Sequence, residues 1–334
     1  MMKRLLLTIM LLGLNTIAFA VPSTEVLEKV TKQVVKVQVK LNNGNNGMGS
    51  GVVIARDRIV TNCHVVANAS SINVKVGDTI YIASAITPDW YHDLCLVKVE
   101  GLNAPIATIG SSEHLQYQQT VFAVGYPNHK TNPVTSYGQV KSLLPMDDSV
   151  VVRASSAFER GQSGGGLFDD EGNLVGVITL KSPGKDAYYY NMPVEWLQAL
   201  LEKPEQAIQS TAKTTFWATS SEQWPFFMQV VHPYLTKNWT KLFTIASQWT
   251  RQEPENQEAW FYLAVAEYAI HDLQNAEDHL RKVTAENANH SQAIYYLTLI
   301  AEENGKHQEA LTNIALLSAL DENAANELKS VVYD

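Results

Sequence analysis

The chain has little positive charge and no cluster of basic residues. Lys and Arg together number 25 against 34 Asp and Glu, which gives a formal net charge of −9. The cations are scattered along the sequence, whereas domains that bind nucleic acid present a basic patch or stripe. The sequence therefore predicts no nucleic-acid partner.

Long apolar runs are also lacking after residue 20, so no stable membrane insertion is predicted for the rest of the chain. Charged residues make up 18% of the 334 positions and hydrophobic residues 46%. That balance argues against disordered and fibrous classes, and the length is sufficient for two globular domains.

The first twenty residues have the pattern of a signal peptide. Lys3 and Arg4 precede the apolar run Leu5–Leu14, and Ala18-Phe19-Ala20 is a small-x-small cleavage site. The alternative is an uncleaved anchor, but the apolar run is too short to span a bilayer. The pattern predicts export to the periplasm or the exterior, with Val21 as the first residue of the mature chain.

The segment from residue 21 to 200 is predicted to be an all-β domain. Short apolar runs, several of them alternating with polar residues, follow one another between turn signals with almost no helical period. Many short strands at close spacing are typical of a sandwich or a pair of barrels. The predicted strands are Val34–Lys40, Gly49–Ala55, Arg58–Thr61, Ile72–Val76, Thr79–Ile86, Leu94–Val99, Thr120–Val124, Gly138–Leu143, Val150–Arg153 and Leu174–Thr179.

A serine lies between glycines in the stretch Gly161-Gln162-Ser163-Gly164-Gly165-Gly166. On a tight connection such a serine exposes its hydroxyl, while neighbouring backbone N–H groups stay free to hold an oxyanion. Ser163 is therefore a candidate nucleophile. By itself, the same stretch is equally well explained as an ordinary glycine-rich turn.

Two further residues complete a candidate catalytic set. His64 follows a predicted strand and Asp93 precedes another. A serine hydroxyl needs an imidazole to take its proton, and the imidazole needs a carboxylate to fix its tautomer. The chain order His64, Asp93, Ser163 is the order that chymotrypsin-like double barrels use.

Residues 30 to 195 resemble the trypsin-like serine proteases, and among them the bacterial HtrA-like (Deg-type) branch. Five motifs carry this resemblance in the expected order: Gly49-Ser50-Gly51-Val52-Val53-Ile54, Thr61-Asn62-Cys63-His64-Val65-Val66, Asp93-Leu94-Cys95-Leu96-Val97-Lys98, Val124-Gly125-Tyr126-Pro127 and Gly161-Gln162-Ser163-Gly164-Gly165.

The resemblance implies an all-β double β-barrel of the chymotrypsin type, with the active site in the cleft between the barrels. His64 would be the general base and then the general acid, Asp93 would orient it, and Ser163 would be the nucleophile. The oxyanion hole would use the backbone N–H groups of Gly161 and Ser163, with Gln162 between them. The resemblance implies no cofactor and no metal ion.

Two positions in the serine loop depart from the family. Gln162 stands where trypsin-type zymogens carry an acid, so it cannot pair with a newly cut N-terminus, and no activation cleavage of that kind is expected. HtrA-like proteases usually have Asn at this position and Pro at the position of Gly166. Glycine lacks the φ restriction of proline, so these changes predict a looser loop.

The specificity pocket is assigned by the same family pattern. Its base would lie at Ala157 and one wall along Ile178, Thr179 and Leu180. Because no carboxylate stands at the base, the pattern favours a small or medium apolar side chain over Lys or Arg at the cleavage site.

Cys63 and Cys95 flank the candidate base and acid, so both must lie near the same point. Two interpretations stay open: a disulfide, which export favours, or two buried thiols that pack as small apolar residues. A zinc site would need further ligands, of which only His92 is at hand.

The chain after residue 200 changes character. Residues 201–220 are predicted to be a linker, and helical spacing then continues through residues 221–330. Trp260 and Ile294, Leu263 and Leu297, Ala276 and Ala310, and Leu280 and Ile314 are each separated by 34 positions, the tetratricopeptide period. This part resembles all-α tetratricopeptide-like helical repeats.

Two functions are consistent with these features. The first is an exported serine endopeptidase that acts on protein or peptide substrates, with a repeat domain that binds substrate or a protein partner. The second is a protein-binding scaffold in which the protease-like domain is inactive or only weakly active.

Overall fold

The computed structural model of the protein describes residues 22–184, 187–208 and 212–332. The predicted signal peptide and Val21 lie outside the described residues. The strands are β1 (Val34–Leu41), β2 (Asn46–Ala55), β3 (Arg58–Asn62), β4 (Ala69–Val76), β5 (Thr79–Ile82), β6 (Ala85–Asp89), β7 (Leu94–Lys98), β8 (Thr120–Gly125), β9 (Val134–Met146), β10 (Ser149–Ala154), β11 (Gly166–Asp169), β12 (Leu174–Lys181) and β13 (Tyr189–Pro193).

Short helices accompany the strands and longer ones follow them. The helices are α1 (Thr24–Gln33), α2 (Cys63–Val66), α3 (Trp196–Leu201), α4 (Phe226–Gln229), α5 (Val231–Leu235), α6 (Trp239–Gln252), α7 (Gln257–Ala269), α8 (Leu273–Glu286), α9 (Ser291–Glu303), α10 (His307–Leu320) and α11 (Glu322–Val332). Among the described residues, none of these helices has the length and apolarity needed to cross a membrane.

The strands form two antiparallel sheets. The first has seven strands in the order β5-β4-β1-β2-β3-β7-β6, and the second is a closed barrel in the order β10-β13-β12-β11-β8-β9. The predicted pair of barrels is thus correct for the second sheet only. The first sheet is a half-barrel whose outer strands, β5 and β6, are not paired with each other in the described part of the chain.

Strand β1 shows why the first sheet forms. Val35, Val37 and Val39 are buried in the core of this sheet, while the alternate residues, Lys36 among them, are more exposed. This period of two is what a strand with one buried face requires. The interior of the second barrel is filled in the same way, by residues that include Val121, Leu167 and Ile178.

The helices after residue 235 stack in sequence. Each of α6 to α10 packs against the next, and α11 packs against α10 and α9. Helices α6, α8 and α10 begin at Trp239, Leu273 and His307, and α7 and α9 begin at Gln257 and Ser291, so equivalent helices begin 34 residues apart. The C-terminal region is therefore helical with a regular spacing. Before α6 the chain forms the two short helices α4 and α5, with Pro233 inside α5.

The segment predicted to be a linker lies against the first sheet in its described parts. Gln206 forms an antiparallel bridge with Ile86 of β6, and Glu205 forms ion pairs with Arg58 and Lys98. Further along, Phe216 is buried in a core cluster that includes residues of both sheets and of the helices. The two sheets and the helical region therefore share a continuous apolar core.

Candidate active site

His64 and Asp93 are brought together by two adjacent strands. His64 lies on α2 directly after β3, and Asp93 lies on the turn directly before β7; these strands pair so that Asn62 faces Leu94. The His64 Nδ1 atom is 2.6 Å from Asp93 Oδ2, and the His64 backbone N–H donates to Asp93 Oδ1 at 2.8 Å. Because the carboxylate accepts at Nδ1, His64 Nε2 is left to face a substrate or a nucleophile.

The backbone of Asp93 is held in an uncommon conformation. Its φ is +60°, in the left-handed region, where aspartate is among the better tolerated residues. Its backbone oxygen accepts from the Cys63 N–H at 3.2 Å and from Asn62 Nδ2 at 3.0 Å. The turn is therefore tied directly to the residues that precede His64.

Cys63 and Cys95 form a disulfide in the structure, with the Cα atoms 4.9 Å apart. Of the two interpretations left open by the sequence, the structure has the bonded one. The bridge joins the residue before His64 to β7, two residues after Asp93. It therefore restrains His64 and Asp93 relative to each other.

The serine loop is packed against the first sheet. Gly161 and Gly164 have φ values of +98° and +85°, a region that glycine enters without steric cost. A Cβ at Gly164 would lie 2.2 Å from the Ser50 carbonyl oxygen, so a larger residue does not fit there. The Ser50 N–H donates to the Ser163 carbonyl oxygen at 2.8 Å and fixes the loop across the cleft.

Gln162 and Gly166, the two positions at which a looser loop is predicted, both make close contacts in the structure. The Gln162 side chain accepts from the Glu159 N–H at 2.9 Å and donates to the Val134 carbonyl oxygen at 3.4 Å. Gly166 begins β11, and a Cβ there would lie 2.4 Å from the ring of Phe168. The amide of Gln162 thus supplies contacts that hold the loop without a partner from a cut N-terminus.

The Ser163 hydroxyl lies beside Thr179. Ser163 Oγ donates to the Thr179 carbonyl oxygen at 3.5 Å, and the Thr179 hydroxyl accepts from Asn62 Nδ2 at 2.9 Å. Asn62 lies two residues before His64, so these hydrogen bonds connect Ser163, through Thr179, to the segment that carries His64. Within the described residues, no hydrogen bond joins Ser163 Oγ to His64; such contacts are often long before substrate binds.

The backbone donors at Gly161 and Ser163 are available. The intervening Gln162 N–H donates to the Glu159 carbonyl oxygen at 3.1 Å. In the described ranges, neither the Gly161 N–H nor the Ser163 N–H has a hydrogen-bond acceptor. Two free N–H groups beside a serine are the donors that an oxyanion requires.

The predicted specificity residues are only partly on the surface of the cleft. Ala157 is exposed, but Ile178 is fully buried in the interior of the second barrel, so its side chain does not form a pocket wall. Successive side chains along β12 point to opposite faces of the sheet, and the side chain of Ile178 points into the interior of the barrel. Thr179 uses its hydroxyl within the fold, donating to the Val177 carbonyl oxygen at 2.9 Å. Leu180 is partly exposed.

An ion-pair cluster lies next to Asp93. The ring of His92 contacts Asp89 through Nδ1 at 3.0 Å and Asp147 through Nε2 at 3.1 Å. Burial disfavours the charged imidazole, but these two carboxylates raise the pKa of His92 above its usual value. Burial alone would raise the pKa of Asp89, yet the hydrogen bond from His92 and the charges of His92 and Lys203 lower it to about 2.

Sequence reasoning did not identify Trp217 as part of the site. Its indole Nε1 donates to Asp93 Oδ2 at 3.1 Å, and its ring centroid is 5.6 Å from that of His64. It lies in the segment predicted to be a linker, and no motif there marks an aromatic residue for a role at His64.

A family model described as a trypsin-like peptidase domain matches residues 49–177. Among curated proteins, the chain is 30% identical over 165 residues to the putative serine protease HhoB of Synechocystis sp., covering 47% of this chain and 40% of that protein. It is 36% identical over 157 residues to a probable periplasmic serine endoprotease DegP-like of Pseudomonas putida, covering 44% of this chain and 33% of that protein. The chain thus spans about a third to two fifths of the length of these relatives.

The fold is also that of a solved protease. The active form of the Rv3671c protease from M. tuberculosis superposes with a TM-score of 0.51 at 21% identity, covering 64% of this chain and 100% of that chain. At this identity the likeness concerns the fold alone.

Proposed function

We propose that this chain, which carries a trypsin-like peptidase domain of the HtrA/DegP type, is a serine endopeptidase that uses Ser163, His64 and Asp93. The observation that carries the proposal is the 2.6 Å contact between His64 Nδ1 and Asp93 Oδ2, directly beside the serine loop. A buried carboxylate that fixes an imidazole next to an accessible serine is the arrangement that acyl transfer requires.

The proposed reaction forms and then hydrolyses an acyl-enzyme. His64 Nε2 takes the hydroxyl proton of Ser163 as Oγ attacks the peptide carbonyl carbon. The resulting oxyanion is held by the N–H groups of Gly161 and Ser163. His64 then gives the proton to the leaving amine, and a water molecule, activated by the same imidazole, releases the acyl group and restores the serine.

The competing proposal is a binding protein with an inactive protease-like domain. It is favoured by the position of Ser163 Oγ, which lies 3.5 Å from the Thr179 carbonyl oxygen. Against it stand the free N–H groups of Gly161 and Ser163 and the contact between His64 and Asp93, which support the enzyme proposal.

Labelling with a serine-directed fluorophosphonate separates the two. We expect the wild-type protein to be labelled and to cleave an unfolded protein substrate. Replacement of the nucleophile costs on the order of 10⁶ in kcat in serine proteases of this mechanism, so Ser163→Ala should show neither labelling nor cleavage. Equal labelling of the two proteins, or no labelling of either, would contradict the enzyme proposal.

The same experiment on fractionated cells tests export. We propose that the protein is periplasmic or secreted, because residues 1–20 have a signal-peptide pattern and the Cys63–Cys95 disulfide suits an oxidising compartment. The labelled protein should be found outside the cytoplasm and begin at Val21. Labelled protein confined to the cytoplasm would contradict export.

We propose that the helical region is a tetratricopeptide-like array that binds an extended segment of the polypeptide substrate. The 34-residue spacing of equivalent helices supports the repeat assignment. A cavity of about 260 Å³ lies between the second barrel and the helices. It is lined by Tyr117, Lys141, Tyr188, Gln292 and Asp321, among others. Tyrosine rings and polar side chains suit a backbone with mixed side chains.

Filling this cavity tests the proposed substrate binding. Gln292 is half-buried and lines the cavity, whereas Gln308 is exposed on α10 and does not line it. We expect Gln292→Trp to raise KM for an unfolded protein substrate about tenfold, with little effect on a short peptide. Gln308→Trp is the control and should leave both unchanged. If Gln292→Trp leaves KM for the long substrate unchanged, the cavity does not bind it.

A further inference from the structure

Trp217 comes from the segment between the second barrel and the helices, yet it reaches the candidate active site. It lies in a short 3-10 helix, Phe216–Ala218. The Phe216 N–H donates to the Tyr91 carbonyl oxygen at 3.0 Å, and the rings of these residues are 6.0 Å apart. Since Tyr91 lies two residues before Asp93, this segment is anchored on the same turn that carries the candidate acid.

The indole contacts both members of the acid–base pair. Trp217 Nε1 donates to Asp93 Oδ2, the oxygen that also accepts from His64 Nδ1. The rings of Trp217 and His64 meet edge to face, with an interplanar angle of 86°. The Asp93 side chain is fully buried and the His64 side chain is 31% exposed, so Trp217 packs on a pair in which only the imidazole is accessible.

The Asp93 carboxylate thus has three N–H donors. Its Oδ1 atom accepts from the His64 backbone, and its Oδ2 atom accepts from the His64 ring and from Trp217. The Thr179 hydroxyl, on the nearby strand β12, accepts a hydrogen bond from Asn62 Nδ2 and donates one to the Val177 carbonyl oxygen, so it does not donate to Asp93. In the part of the chain that the structure describes, Trp217 is therefore the only side-chain donor to the Asp93 carboxylate besides His64.

We propose that Trp217 is a positioning residue of the acid–base pair, supplied by the segment that leads into the helical region. The proposal rests on the proposed endopeptidase function. The indole N–H holds the plane of the Asp93 carboxylate, and the ring limits rotation of His64. Asp93 in turn keeps the His64 imidazole in the tautomer that presents Nε2 to Ser163.

Two substitutions distinguish the role of the indole N–H from the role of the aromatic ring. Trp217→Phe removes the donor and keeps an aromatic face, and Trp217→Leu removes both. A hydrogen bond to a charged group is worth about tenfold in an equilibrium, so we expect Trp217→Phe to lower kcat about tenfold with KM nearly unchanged. Because Asp93 then has one donor fewer, the dependence of kcat/KM on pH should also change relative to the wild type.

The control is Trp224→Phe. Trp224 lies in the same segment, and its Nε1 donates to the Thr219 carbonyl oxygen at 3.1 Å, with no contact to Asp93. This variant should keep the wild-type kcat and pH profile. Trp217 has no positioning role if Trp217→Phe also keeps the wild-type kcat and pH profile. It has none either if Trp217→Phe and Trp224→Phe lose activity only in proportion to a fall in melting temperature.

A spectroscopic measurement tests the inference without activity. The His64 Nδ1 proton in its short bond to Asp93 should give a low-field resonance in the proton NMR spectrum of the full chain. We expect Trp217→Phe to shift this resonance and Trp224→Phe to leave it in place. An unshifted resonance in Trp217→Phe would overturn the positioning role. A wild-type protein that no fluorophosphonate labels would instead overturn the endopeptidase proposal.

Discussion

The contacts of His92 make the stability of the site region depend on pH. Its ring faces Asp89 and Asp147 through its two nitrogens, and it stacks on Trp196 with centroids 3.9 Å apart. Lys203 also contacts Asp89, at 3.2 Å. The His92 ring therefore joins two turns, one before β7 and one between β9 and β10.

His92→Gln should destabilise the protein most at low pH. The folded-state pKa of His92 is raised, so its contribution is fully present below the unfolded-state pKa and is lost as pH rises through the folded-state pKa. We expect the variant to melt about 2–4 °C below wild type at pH ~5.5 and to approach wild type at pH ~9. Thermal melts across this range are the measurement.

His129→Gln provides the comparison for His92. His129 is exposed on the loop before β9, and no described residue hydrogen-bonds its ring. Its replacement should leave the melting temperature unchanged at every pH. A difference between wild type and His92→Gln that stays constant with pH would show that the imidazole charge does not stabilise these turns.

At the scale of elements, sequence patterns predicted the long strands and helices and failed where an element lacks a periodic pattern. Strand β1 alternates from Val35 to Lys40, and equivalent helices among α7 to α10 begin 34 residues apart, so both were predictable. Strand β11 has only four residues and begins with Gly166, and β13 ends with a proline, so neither has a strand signal of its own. Their pairing partners in the closed barrel determine their conformation.

The same limit applies to the active-site elements. Local motifs pointed to His64, Asp93 and Ser163 as candidates, since the first two lie next to strands with a recognisable pattern and Ser163 lies between glycines. Trp217 has no such context, because its contact with Asp93 depends on how the segment after residue 200 folds back onto the first sheet. The inward direction of Ile178 likewise depends on the register of β12 against β13, in which it faces Asn191.

In the whole molecule, the barrel and the helices meet across a buried ion pair. The Arg153 Nη2 atom on β10 is 3.8 Å from Glu258 Oε2 on α7, and the Arg153 guanidinium lies 4.5 Å from the centroid of the Tyr188 ring. Burial opposes ionisation of Glu258, but Arg153 and His290 hold its pKa below the usual value. One apolar core also continues from the second barrel into the helices.

This shared interior predicts that the barrel and the helical region unfold together. Glu258→Gln leaves Arg153 buried without an opposite charge, which should cost about 3 kcal/mol of unfolding free energy. Glu277→Gln, whose ion pairs with Arg281 and Lys306 lie within the helical region and nearer the surface, should cost less than about 1 kcal/mol.

Amide hydrogen exchange across denaturant, followed by mass spectrometry, reports both regions separately. Glu258→Gln should lower the protection of barrel and helical peptides by equal amounts; a loss confined to helical peptides would mean that the two regions fold independently.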